Sequence, residues 1–218
     1  LQGMIHADTM IKNRHVTHAL VVGAEILSKV AEPEDMDTML YGDGAGAVIM
    51  QAIESDVPVG FISYKVRSDT FNQQAFMLRM GHAYSPNHPA DELFLKMTGT
   101  RVHKHALNLI PTTIKDALRE ANLTIDQIDL MVFHQPNPLM LKEIALRTYA
   151  LFDMQPPEHI MPIIGDTFGN PSVASIPLIL HQIDAGQLEN YSLRSGDIVM
   201  LLSIGAGMNI NIALYRQP

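Results

Sequence analysis

His134 stands in the stretch "VFHQPNP", directly behind the apolar run "IDLMVF" and hemmed in by two prolines. A histidine where a strand ends and a proline-restricted loop begins sits where open α/β sheets present ligands and catalytic groups, although a structural histidine fits the same spot. Asn170 lies in "DTFGNPSVAS", another strand-to-helix turn, in which Gly169 permits close backbone approach and Ser172 or Ser175 can cap. The third candidate is "SIGAGMN", where the backbone of Gly205, Ala206 and Gly207 can aim N–H groups at an anion, as an oxyanion hole requires.

Composition narrows the chemistry. The chain has 218 residues, of which 47% are hydrophobic and 17% charged, so it can bury a core and lacks the charge excess of disorder. Its net charge is −8 and its 15 Lys and Arg are scattered, which leaves no basic footprint for nucleic acid. No apolar run reaches the length of a membrane span, and "HALVVGAEIL" and "DIVMLLSIGAG" read as buried strands. With zero Cys there is no disulfide, thiolate zinc site or thiol nucleophile in these residues, while 14 Met show that sulfur is not avoided. His15 with His18 and His103 with His105 have no third ligand at metal spacing and no HExxH occurs, so neither metal nor cofactor is expected. "YGDGAG" lacks the GxGxxG spacing and following helix of a nucleotide loop, and Asp43 reads as a turn and cap residue.

The elements that must position these residues follow from periodicity. "LQGMIHADTMIKNR" places Leu1, Met4, Ile5, Asp8 and Ile11 at helical spacing without a cap, as in a helix cut at its start, and the written chain is expected to begin inside a longer protein. "HALVVGAE", the run after "YGDGAG" and "VGFISYKVRSD" read as strands, and residues 70 to 91 as a long surface excursion. "LFLKMTGTRVHKHALNLIPTTIKDALREANL" reads as a long helix kinked or divided near Pro111, followed by strand "IDLMVFH" and helix "NPLMLKEIALRTYALF". "HIMPIIGDTFGN" then reads as a strand into a turn, "SVASIPLILHQIDAG" as a helix closed by Gly186, and "DIVMLLSIGAGMNINIALY" as two strands about a glycine turn. That alternation implies an α/β layered fold with a largely parallel central sheet, and the GAG shared by "DGAGAVIM" and "IGAGMNIN" hints at duplicated halves.

Taken in order, "YGDGAGAV", "MTGTRVHKHAL", "VFHQPNP", "FGNPSVASIPL" and "LLSIGAGM" resemble the β-ketoacyl-acyl carrier protein synthase III family of the thiolase superfamily, across essentially the whole chain. The resemblance implies a thiolase-like layered αβαβα fold of two duplicated halves. Residues 1–92 would be the remainder of an incomplete N-terminal half and 93–218 a complete C-terminal half. It implies a Cys-His-Asn site in which His134 and Asn170 donate hydrogen bonds to the enolate oxygen left when a malonyl thioester loses carbon dioxide. The Ala206 backbone, between Gly205 and Gly207, would hold the oxyanion of acyl transfer. The cysteine would lie about four residues before Leu1, at a helix N-terminus where dipole and free N–H groups favour thiolate. The implied partners are acyl-coenzyme A or acyl carrier protein thioesters, and the implied state is a cytoplasmic homodimer whose sheets join edge to edge near "HALVVGAE".

The chain also departs from the family. Leu139 stands where the family often has an arginine that receives the phosphopantetheine carrier, so that Asn137 and Lys142, one helical turn on, become the candidate contacts. Pro171 follows Asn170 where the family often has Thr. Non-decarboxylating acyl transfer, thioester hydrolysis and a non-catalytic partner role for a chain that has lost its cysteine therefore stay open beside condensation.

Overall fold

The computed structural model describes residues 1–69, 78–205 and 207–218. Its centre is a four-stranded sheet in the order β3 (Gly60–Ser68), β8 (Asn209–Arg216), β7 (Ile198–Gly205), β6 (Leu130–Phe133). Only β6 and β7 run parallel, and β8 is antiparallel to both its neighbours, so the sheet is mixed rather than largely parallel. The reason is local: β7 and β8 are joined by the tight turn after Gly205, which can link only antiparallel strands. β3, which a division at residues 92 and 93 assigns to the first half, is hydrogen-bonded along β8 of the second.

Alternation along the strands builds two cores. Met131 and Phe133 of β6, with Met200 and Leu202 of β7, face α2 (Gly99–Glu120) and α3 (Pro138–Ala150), where Ile110, Ile114, Leu118, Leu141 and Ile144 complete the packing. Leu130 and Val132, with Val199 and Leu201, face the opposite way, onto α5 (Ser175–Asp184) through Ile176, Ile179 and Ile183 and onto Met4 of α1 (Gln2–Lys12). β6 is thus buried on both faces, as its unbroken apolar run requires. Beyond α1 and α5 lies a ribbon of β1 (His18–Glu25) paired antiparallel with β2 (Gly44–Gln51), whose Val21, Val48 and Met50 close the second core. The layers are helix, sheet, helix, ribbon.

Three elements differ from the periodicity. Leu93–Met97 forms β5 instead of starting the long helix, and it pairs with β4 (Leu78–His82), which lies inside the expected excursion of residues 70–91; of that stretch, residues 70–77 lie outside the described residues. α2 runs unbroken through Pro111, because Leu107 and Ile110 before it and Ile114 and Leu118 after it are anchored in one core. Residues 158–164 form no strand; among the described residues, the one backbone bond that ties them to the sheet runs from Met131 N–H to Ile160 O, and Pro162 has no N–H to extend it. The short α4 (Gly165–Phe168) follows. The two GAG stretches are not equivalent either, since Gly44–Gly46 lie inside β2 while Gly205 and Gly207 flank the β7–β8 turn.

Candidate active site

His134 is delivered by the end of β6, where its N–H donates to Leu202 O at 2.8 Å. The next residue, buried Gln135, locks the loop: its Nε2 donates to Phe133 O (2.9 Å) and Pro162 O (3.2 Å), and its Oε1 accepts from Ile164 N–H (2.9 Å). The His134 ring is fixed on its Nδ1 side, 3.2 Å from Ser172 O and 3.2 Å from Ser175 Oγ. Desolvation pushes its pKa down to about 4, while the bond to the Ser172 carbonyl works the other way. The ring is therefore neutral at pH 7.

The ring's partners assign its tautomer. Ser172 O can only accept, and the Ser175 hydroxyl already donates to that carbonyl at 2.8 Å, so Nδ1 carries the hydrogen and Nε2 is left with a lone pair. The expected role of His134 as an N–H donor to a substrate oxygen calls for the other tautomer, with the hydrogen on Nε2.

Asn170 is held from the other side. Its backbone N–H donates to Leu40 O (2.7 Å) and its carbonyl accepts from Gly42 N–H (3.0 Å), with Tyr41 bridged to Asn170. A Cβ at Gly42 would collide with the Phe168 carbonyl oxygen, so the turn needs glycine there. Gly169, at φ 61°, lets the chain leave α4 toward it. The side-chain Oδ1 accepts from Ser172 N–H at 2.9 Å, so the carboxamide orientation is settled and Nδ2 is the free donor among the described residues. Asp43 accepts from the backbone N–H and hydroxyl of Ser28, which hold its carboxyl below the usual range, a turn-bracing role.

His134, Asn170, Gly205 and Gly207 line one cavity of about 170 Å³. Ala206 lies outside the described residues. The remaining walls are mostly apolar: Leu27, Leu78, Leu95, Met97, Met140, Ile204 and Met208, with Tyr41 among them. Periodicity missed Leu27, Leu95 and Met97 because they come from distant loops and strands. Asn137 is the N-cap of α3, its Oδ1 accepting from Leu139 N–H (2.8 Å) and Met140 N–H (3.2 Å). Lys142 lines a separate groove with Pro156, Pro157 and His159, not the His134 cavity, and Leu139 is exposed.

The wall carrying Leu27, Leu95 and Met97 rests on a buried ion cluster that no local sequence signal marks. Lys96 contacts Glu32 and lies 3.1 Å from Asp35, with its ammonium over the Tyr84 ring, 3.7 Å from the centroid. Glu32 also accepts from Tyr84 N–H (3.0 Å) and Ser85 N–H (2.7 Å). Burial alone would raise the Glu32 pKa; the Lys96 ammonium and the two amides outweigh it and hold it at about 2. Glu32, Glu34 and His88 bring possible metal-ligand atoms within 4.8 Å of one another, but both Glu32 oxygens are already taken.

An α/β layered core with a histidine loop, a GN turn and a glycine turn around one cavity is a thiolase-like fold. The solved 3-oxoacyl-(acyl carrier protein) synthase III of Pseudomonas aeruginosa PAO1 superposes with a TM-score of 0.81 at 26% identity, covering 100% of this chain and 63% of that one. The solved β-ketoacyl-[acyl carrier protein] synthase III of Thermus thermophilus does so with a TM-score of 0.79 at 30% identity, covering 100% and 64%. Residues 1–70 match the family model for 3-oxoacyl-[acyl-carrier-protein (ACP)] synthase III, and residues 118–217 match that of its C-terminal part. The chain belongs to this family. It is 31% identical to the β-ketoacyl-[acyl-carrier-protein] synthase III of Trichodesmium erythraeum over 99% of its own residues, and spans 64% of that relative's length. No described helix is long and apolar enough to cross a membrane.

Proposed function

We propose that this chain forms most of an acyl-thioester condensing enzyme, which joins a cysteine-bound acyl group to the enolate released when a malonyl thioester loses carbon dioxide. The observation that carries the reading is the meeting of His134 and Asn170 beside the glycine turn in one apolar-walled cavity. Asn170 Nδ2 donates to the enolate oxygen, and His134 joins it from Nε2 in the tautomer that protonates that atom. The backbone that carries Gly205 and Gly207 in the cavity wall, with Ala206 between them in sequence, is where we place the oxyanion of acyl transfer. The nucleophile is a cysteine about four residues before Leu1, where a helix N-terminus favours thiolate.

The substrates are acyl and malonyl thioesters of coenzyme A or an acyl carrier protein. A second copy pairs with the chain near β1, as a homodimer of the cytoplasm. Intact-mass measurement of the gene product, including the residues before Leu1, after incubation with an acyl-coenzyme A tests the reading: one acyl adduct on cysteine is expected, and none would remove it.

The exposed Leu139 on the first turn of α3, and Lys142 facing another groove, favour one second reading, acyl transfer without decarboxylation. Release of labelled carbon dioxide from a malonyl thioester separates the two.

A further inference from the structure

We propose that Ser175 is a positioning residue whose hydroxyl lets the His134 ring carry its hydrogen on either nitrogen, and so makes a donor available to the cavity. The proposal deepens the condensation reading and rests on it. Ser175 is fully buried at the first position of α5. Its Oγ lies 2.8 Å from Ser172 O, 3.2 Å from His134 Nδ1 and 3.3 Å from Gln135 N.

The Gln135 N–H can only donate to this oxygen, so the single hydroxyl hydrogen has two acceptors to choose between, Ser172 O and Nδ1. Directed at Ser172 O, it requires the ring hydrogen on Nδ1, and Nε2 can then only accept. Turned to Nδ1, it satisfies that nitrogen as an acceptor, and the neutral ring carries its hydrogen on Nε2, the Nδ1 proton having been lost to solvent and one gained from solvent at Nε2. That second arrangement gives the cavity that both residues line an imidazole N–H in addition to the Asn170 carboxamide N–H, the pair that an enolate oxygen requires. The shorter bond to Ser172 O makes the first arrangement the resting one. Without the hydroxyl, the described partner left to Nδ1 is a carbonyl, and the ring is locked with Nε2 as an acceptor.

The test uses the full gene product with Ser175→Ala and Ser175→Thr. Imidazole nitrogen NMR of His134 reads the tautomer without any need for turnover. The wild type should show two exchanging tautomers with Nδ1–H in excess, Ser175→Ala the Nδ1–H form alone, and Ser175→Thr the wild-type pattern. Losing one oxyanion donor should lower kcat for condensation on the order of a hundredfold in Ser175→Ala. KM and the rate of acyl loading should hold, and Thr should restore kcat. A spectrum unchanged by Ser175→Ala overturns the proposal whatever the rates. A locked spectrum with undiminished condensation overturns His134 as a cavity donor, and with it the reading above. If Ser175→Ala does not fold, Ser175→Cys, a weaker donor, gives the same comparison with the Nδ1–H form enriched.

Discussion

Asn170 offers the sharpest separation of chemistry from architecture, because its two side-chain atoms do different things. Oδ1 accepts from Ser172 N–H at 2.9 Å and braces the turn, while Nδ2 is left for the cavity. Asn170→Asp keeps the first and removes the second; Asn170→Ala removes both. Losing a donor to a developing oxyanion costs about 3 kcal/mol, or on the order of a hundredfold in kcat, so both variants should lose condensation by that much. Losing the acceptor for a partly buried N–H costs roughly 1 kcal/mol of stability. Only the Ala variant should therefore show a lower urea midpoint from this cause. The assay pairs release of carbon dioxide from a malonyl thioester with equilibrium unfolding. An Asp variant that condenses at the wild-type rate would refute the reasoning.

Three further outcomes follow from the geometry. The His134 imidazole, depressed to about 4, should remain neutral in an NMR titration from pH 8 to pH 5; a midpoint at its ordinary value of 6.5 would contradict its enclosure. Glu32 has a folded pKa of about 2 against an ordinary 4.5, so its contribution is full above 4.5 and is lost as pH falls toward 2. Lys96→Met, which removes its cationic partner, should lower stability at pH 7 and flatten the stability profile between those values, as read by denaturation at each pH. Gly42→Ala should push the Asn170 turn away from Tyr41, because the new Cβ meets the Phe168 carbonyl, and should lower kcat more than it lowers acyl loading.

What the sequence made legible is what short-range pattern controls. "HALVVGAE" is β1 over its whole length, and the apolar run before His134 is a strand buried on both faces because it has no alternation to spare. His134 and Asn170 stood out because each follows a strand-to-helix signal, and the structure brings both to one cavity with Gly205 and Gly207. Partnership was not legible. Nothing in "GFISYKVRS" says that β3 joins β8 rather than the ribbon next to it in the chain, since a strand's pattern fixes its faces and not its neighbour. "LFLKM" was absorbed into a helix because five residues are too few to separate the two periods. The Glu32–Lys96 pair joins residues 64 apart, and no local signal marks a charge that becomes buried only in the folded chain.

The most direct test is a crystal structure of the full gene product with a malonyl thioester analogue that cannot lose carbon dioxide. The account predicts its thioester oxygen within about 3 Å of both Asn170 Nδ2 and His134 Nε2. An oxygen held by neither group, with the thioester seated outside the cavity shared by His134, Asn170 and the glycine turn, would contradict it.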